Sequence, residues 1–131
     1  LEVQVLGAAD EAGAQAIART ICGSSLVKTA VHGRDPNWGR IVGAAGRAGV
    51  AFDPEVVALW LGEHQLMDAG QPLGFDREAA SRYMRERAAG VYLTDDTVLI
   101  RLQVGQGPGA ATAWGCDLSD QYVRINADYT T

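Results

Sequence analysis

A short run of turn residues, GRDPN at positions 33–37, restricts the fold more than any other stretch of this chain. Pro36 fixes its own φ near about −65° and pushes the preceding residue away from helical geometry. Asp, Asn and Gly are residues that turns favour beside a proline. The run therefore predicts a loop between two helices, one from position 24 to about 33 and one from position 38 to about 47.

Positive charge is concentrated around this loop, in a basic segment at positions 24–49, although the whole chain has a formal net charge of −5. The segment sets four cations against the single acid Asp35. With the helix N-terminus at Asn37, these cations could bind a carboxylate or another anion. The alternative is a structural role, in which the cations form ion pairs that hold the loop. The four cations are Lys28, Arg34, Arg40 and Arg47.

Apolar spacing along the rest of the chain alternates between strand and helix patterns. Glycines at 105, 107 and 109 predict a turn that makes positions 98–104 and 110–116 a hairpin. We therefore expect a single α+β domain over 1–131, with packed helices and a mixed or antiparallel sheet. The other predicted strands are 1–6, 56–62 and an interrupted 64–73, and the other helices are 10–23, 76–89 and the tail after 117. The predicted caps are Asp10, Ser24 or Ser25, Asn37, Asp76, and Ser119 or Asp117.

Three glycines lie inside the predicted helix at 38–47, where each costs up to about 1 kcal/mol relative to alanine. Such a cost needs a compensating reason. The spacing of Gly39 and Gly43, four residues apart, predicts that another backbone approaches this face of the helix closely.

Composition argues against several classes of protein. An acidic chain with few clustered cations does not suit the phosphate backbone of nucleic acids. No apolar run is long enough to span a membrane and no signal segment opens the chain, so we expect a cytoplasmic protein. The chain starts at Leu1 in the middle of a strand pattern, which indicates a fragment of something longer.

Neither metal chemistry nor a self-contained catalytic triad is expected from the residues present. The two histidines are far apart in sequence and no pair has metal-ligand spacing. Ser24, Ser25 and Thr29 near His32 are explained as helix caps and surface residues. Cys22 and Cys116 both lie in apolar patterns, which predicts two buried, reduced thiols.

Two motifs in the chain resemble the bifunctional glutamate N-acetyltransferase and ornithine acetyltransferase family of arginine biosynthesis. The first is LVKTA at 26–30 followed by DPNWGRI at 35–41. The second is AWGCDLS at 113–119 followed by YVRINADYTT at 122–131. The resemblance covers essentially the whole chain and implies the C-terminal domain of that family's β chain.

The resemblance implies an enzyme that cleaves its own precursor before a threonine, which becomes the nucleophile. That threonine takes an acetyl group from N-acetylornithine and passes it to glutamate, and acetyl-CoA is a possible co-substrate. No bound cofactor is implied. The implied partners are the α chain and the remainder of the β chain, in an oligomer of αβ units.

The family's nucleophile would precede Leu1, so this chain alone is expected to be inactive. The family's substrate contacts carry over to Asn126 and Thr131, with hydrogen bonding to ornithine or glutamate as their implied role. None falls in the basic segment, which favours the structural role of Lys28, Arg34, Asp35, Asn37 and Arg40. The alternative function is a non-enzymatic anion-binding or assembly domain.

Overall fold

A computed structural model of the protein describes residues 1–91 and 94–129 and contains one six-stranded sheet. The strand order across the sheet is β4-β3-β2-β5-β1-β6. The strands are β1 (Glu2–Ala8), β2 (Ala58–Leu61), β3 (His64–Asp68), β4 (Gln71–Pro72), β5 (Leu99–Gln103) and β6 (Gly109–Trp114). The helices are α1 (Glu11–Gly23), α2 (Ser25–His32), α3 (Trp38–Ala45), α4 (Arg77–Ala88) and α5 (Asp120–Ala127), with a 3-10 turn at Pro54–Val56.

The sheet is mixed. β1 runs parallel to β5, with Val3 beside Ile100, and antiparallel to β6, with Val3 beside Ala113. β2 is antiparallel to both β5 and β3. The prediction of an α+β fold with a mixed or antiparallel sheet is therefore confirmed, as is the interruption of the return strand at Ala69 and Gly70, between β3 and β4.

The predicted hairpin between the strands at 98–104 and 110–116 is wrong. Both strands exist, but β1 lies between them and bonds to each. Glycines and a proline show that a chain reverses, but they do not determine which strand lies alongside afterwards. β1 takes the inner position because Val3 and Val5 are completely buried there.

The connection from β5 to β6 consequently crosses the end of β1 at very short range. Val104 N–H donates to Leu6 O at 2.9 Å, and Gly107 N–H donates to Gly7 O at 3.0 Å. A Cβ on Gly107 would lie 2.1 Å from Ala8 O. Gly7 itself has φ +77°, and a Cβ there would lie 2.0 Å from Gly105 O. The glycines of this stretch are required by the close approach of two backbones.

One continuous core lies between the sheet and its helices. Alternate residues of each central strand face it, since β1 buries Val3 and Val5 while Gln4 is half-buried. α1 packs across β1 and β6, and α2 and α3 pack beside α1. The fully buried large side chains include Ile17, Ile21, Leu59, Leu61, Leu66, Met84, Ile100 and Leu102.

The predicted helix caps are confirmed. Each cap side chain accepts a backbone N–H bond from the first turn of its helix, which satisfies a donor that the helix leaves free. Of the two serines before α2, Ser24 is the cap, and its oxygen accepts from Val27 N–H. The other caps are Asp10 for α1, Asn37 for α3, Asp76 for α4 and Ser119 for α5.

No backbone of the described residues makes the predicted close approach to Gly39 and Gly43 of α3. A Cβ on Gly43 would have no neighbouring heavy atom within 4 Å among the residues described, and one on Gly39 would meet only the side chain of Asn37, at 3.6 Å. Both glycines are exposed. The cost of glycine in this helix is therefore not offset by packing within residues 1–91 and 94–129.

These two environments predict opposite effects of the same substitution. Gly107→Ala should lower the free energy of unfolding by about 1–3 kcal/mol, because the added Cβ collides with Ala8 O. Gly43→Ala should raise it by about 0.5–1 kcal/mol, because alanine favours the helix and meets nothing there. Urea unfolding of both variants measures the difference, and equal effects would contradict the crossing geometry.

Candidate functional site

The C-terminal helix α5 carries the predicted substrate contact Asn126. The helix begins where Ser119 Oγ accepts from Tyr122 N–H at 3.0 Å. Asn126 is exposed near the other end, and its Nδ2 donates to Tyr122 O, one turn back, at 2.8 Å. Within the described residues its Oδ1 accepts no hydrogen bond, so one acceptor of the amide is available to a ligand. The second predicted contact, Thr131, lies outside the described residues.

The segment leading into α5 is attached to α2. Asp117 Oδ2 lies 2.9 Å from His32 Nδ1, the last residue of that helix. Leu118 N–H donates to Lys28 O, although the separation is long at 3.4 Å. The basic segment therefore contacts the tail through an acid and a backbone amide. No hydrogen bond or ion pair between described residues joins Asn126 itself to that segment.

α5 presents an apolar surface that nothing in the described chain covers. Tyr122, Val123 and Ile125 are 57%, 53% and 59% exposed, and the helix has no buried residue. Three large apolar side chains on one short helix are more than single scattered surface residues. This surface is therefore a candidate contact with another polypeptide.

Among the described residues, Arg34 and Arg40 of the basic segment do not form the predicted ion pairs and bind backbone oxygens of α2 instead. Arg34 donates to His32 O at the end of α2. Arg40 Nη1 donates to Leu26 O at 3.0 Å and lies 3.3 Å from Thr29 Oγ1. The carbonyl end of a helix carries partial negative charge, so the position of Arg34 is electrostatically favourable. Among the described residues, Lys28 has no carboxylate within 4.0 Å.

The ion pair that does hold this corner uses a cation from outside it. Arg77, at the start of α4, lies 2.7 Å from Asp35 Oδ1. The other oxygen of Asp35 accepts from Asn37 Nδ2 at 2.9 Å, and Asn37 Oδ1 accepts from Arg40 N–H. The side chain of Asn37 thus occupies the N-terminus of α3, where an anion had been considered. The corner is built as a structural unit, which supports the structural role of Asp35 and Asn37.

A large open groove that sequence reasoning missed lies where β1 and β5 begin. It encloses about 1150 Å³. Trp60 and Arg101 face each other across β2 and β5, and Arg87 lies over the ring of Tyr83 at 5.7 Å. The period-two spacing of Trp60 within β2 could have indicated an exposed sheet face. The lining mixes acids, bases and aromatic groups without a buried polar centre, so it defines no particular ligand.

The two cysteines differ in environment. Cys22 is buried, as predicted, and burial raises the pKa of its thiol. Cys116 is exposed, so the prediction of a second buried thiol is wrong. The reason is that Cys116 lies two residues past the end of β6, which is an edge strand of the sheet.

No group of three or more His, Cys, Asp or Glu side chains among the described residues could hold a metal ion. None of the helices described is long and apolar enough to cross a membrane.

The mixed sheet, the helices over its core face and the tail anchored on α2 define an α+β domain with α5 as a peripheral arm. The chain belongs to the ArgJ family, whose sequence pattern matches residues 1–131. The protein from Prochlorococcus marinus (strain MIT 9313) named "Arginine biosynthesis bifunctional protein ArgJ" is 75% identical over 131 residues. That match covers 100% of this chain and 31% of the relative.

Another relative and a solved structure support the same family assignment. The protein of the same name from Synechocystis sp. (strain ATCC 27184 / PCC 6803 / Kazusa) is 64% identical, over 100% of this chain and 32% of its own length. The crystal structure of the arginine biosynthesis bifunctional protein argJ from Bacillus halodurans matches with a TM-score of 0.88 and 41% identity. It is matched over 98% of this chain and 56% of that one. The chain thus spans about a third of the length of the curated relatives.

The two thiols should react at different rates with iodoacetamide. Only the thiolate reacts with iodoacetamide. Because burial raises the pKa of Cys22, at about pH 8 a smaller fraction of this thiol is ionised than for a thiol of ordinary pKa. Mass spectrometry should therefore find Cys116 alkylated well before Cys22. In denaturant both sites should react at similar rates, and faster labelling of Cys22 in the native protein would contradict the described burial.

Proposed function

We propose that this chain is the C-terminal part of a cytoplasmic enzyme of arginine biosynthesis that transfers an acetyl group from N-acetylornithine to glutamate. The observation that carries the proposal is the match to the ArgJ family over residues 1–131, with relatives named arginine biosynthesis bifunctional proteins. The domain supplies substrate contacts and structure, while the reacting group lies elsewhere in the enzyme.

The proposed reaction has two acyl-transfer steps through a threonine at the start of the β chain. In the first step the threonine hydroxyl oxygen attacks the acetyl carbonyl. The bond to the ornithine nitrogen breaks, and ornithine leaves with the proton. In the second step the amine of glutamate attacks the resulting ester, which forms N-acetylglutamate and restores the hydroxyl. Acetyl-CoA is a second possible acetyl donor to the same threonine.

Asn126 and Thr131 are proposed to bind the amino-acid portion of the substrates. The geometry of Asn126 suits this role, because its side chain is exposed and its Oδ1 accepts no bond from the described residues. An amide oxygen can accept a hydrogen bond from the α-nitrogen of either substrate, which carries an N–H both as the amide of N-acetylornithine and as the amine of glutamate. The bond from Nδ2 to Tyr122 O holds the amide in one orientation, which limits the entropy lost on binding.

The exposed apolar side chains of α5 are proposed to pack against the remainder of the enzyme. Their exposure would leave apolar area in contact with water, and covering it is favourable at roughly 25 cal/mol per Å². The α chain and the rest of the β chain are the partners, within an oligomer of αβ units.

The alternative of an anion-binding module has less support from the geometry. Arg34 and Arg40 already donate to backbone carbonyls, and Asn37 caps the helix that an anion would approach. Calorimetry of the chain against phosphate, glutamate and N-acetylornithine separates the two functions. Phosphate binding without any dependence on the amino acid would favour the anion-binding module.

The 131-residue chain alone should show no acetyl transfer from N-acetylornithine to glutamate, because the proposed nucleophile is outside it. The complete enzyme should form N-acetylglutamate, and mass spectrometry of it with N-acetylornithine alone should find an acetylated N-terminal threonine. Turnover by the 131-residue chain would contradict the proposed location of the nucleophile.

Asn126→Ala in the complete enzyme should weaken the handling of ornithine and glutamate by about 1–3 kcal/mol, as expected when a polar partner is left unpaired. The effect should appear as a higher KM, measured by steady-state kinetics with each substrate. Gln121→Ala is the matched control, since it removes another exposed amide from the same helix. Equal kinetics for the two variants would remove Asn126 from the site.

A further inference from the structure

We propose that His32 and Asp117 form a clasp that positions α5, and through it Asn126, for substrate binding. The clasp is a positioning pair that touches no reacting atom. This inference rests on the proposed function, because it assigns a purpose to the clasp only if the tail contributes to the substrate site.

The tail has few attachments to the body of the domain, so each one matters for its position. α5 buries no side chain among the described residues. The side-chain contact that ties the preceding segment to a helix is Asp117 Oδ2 with His32 Nδ1, at 2.9 Å. Gly115 bonds to Leu1 where the segment leaves β6, and beyond Gly115 the other link among the described residues is the long bond from Leu118 N–H to Lys28 O. Both links beyond Gly115 reach α2, so that helix sets the starting point of the arm.

The connection from the clasp to α5 is short. Asp117 precedes the N-cap Ser119 by two residues, and Ser119 Oγ fixes the first turn by accepting from Tyr122 N–H. Two residues span at most about 7 Å even when extended. Fixing Asp117 therefore restricts the origin of α5 to a small volume, and Asn126 lies two turns further along the helix.

The body's side of the clasp is rigid. His32 is the last residue of α2, which is held in the core by the buried side chains of Val27 and Ala30. Its carbonyl oxygen also accepts from Arg34, so the backbone that carries the ring is bonded as well. The ring of His32 is therefore held in place relative to the core, and its contact with Asp117 holds the start of the tail in place as well.

The clasp is exposed, and this determines the size of its effect. The side chains of His32 and Asp117 are 39% and 46% exposed, so solvent screens the pair. Exposed pairs contribute about 0.2–1 kcal/mol, which corresponds to no more than about a fivefold change in an equilibrium. Loss of the clasp should thus alter where the tail lies without unfolding the domain.

The test uses the complete enzyme with His32→Asp, which places two carboxylates against each other. The KM for N-acetylornithine and for glutamate should rise about two- to fivefold while kcat stays within about twofold. The double variant His32→Asp with Asp117→His restores an acid–imidazole pair and should return KM towards the original value. His64→Ala is the matched control, because it removes the other histidine, which lies in β3.

Hydrogen–deuterium exchange gives a readout that does not depend on catalysis. Amides in peptides across 115–127 should exchange faster in His32→Asp and recover in the double variant. Unchanged KM in His32→Asp, in an enzyme where Asn126→Ala raises it, overturns the positioning role. If Asn126→Ala has no effect either, the proposed binding role of the tail fails, and exchange alone decides the clasp. Faster exchange, reversed by the double variant, then retains the clasp, and unchanged exchange overturns it.

Discussion

The rest of this structure depends on the passage of one backbone over the end of another. β1 can lie between β5 and β6 only if the chain that joins those two strands crosses the end of β1. The crossing is close enough for Val104 and Gly107 to bond to Leu6 O and Gly7 O, and a Cβ on Gly7 would lie 2.0 Å from Gly105 O. This arrangement places β6 at the sheet edge, from which the chain passes α2, with Leu118 N–H bonded to Lys28 O, and continues into α5.

Local signals in the sequence predicted the helices and strands well, but they could not predict which strands pair when those strands are far apart in the sequence. Asp10, Asn37 and Asp76 act as caps because a cap is a bond to a backbone N–H only three residues away. The hairpin prediction failed because the neighbours of β5 in the sheet are determined by which strand buries more apolar surface beside it. β1, almost a hundred positions earlier, buries Val3 and Val5 completely, while β6 offers mainly small residues. The residues around 105–109 carry no information about the apolar residues of β1, so they could not predict that β1 pairs with β5.

The same division applies to the candidate site. The tail motif placed Asn126 near the end of a helix, and Ser119 was among its predicted caps. The side chains that anchor the tail, His32 and Asp117, are 85 positions apart, and the pair that holds the corner of the basic segment, Arg77 and Asp35, is 42 apart. Charge alone predicted ion pairs within the basic segment. It could not predict that helix ends offer carbonyl oxygens closer to Arg34 than any acid.

α5 poses a physical question that the described residues do not answer by themselves. Helices shorter than about 12–15 residues are marginal in water, and α5 has eight residues, one N-cap bond and no buried side chain. Its apolar residues Tyr122, Val123 and Ile125 are each more than half exposed. Packing against another polypeptide would supply the missing stabilisation. The clasp between His32 and Asp117 would then fix where α5 starts. The polypeptide packed on its apolar residues would fix the direction of the helix. Asn126 would be held in position only when both contacts are present.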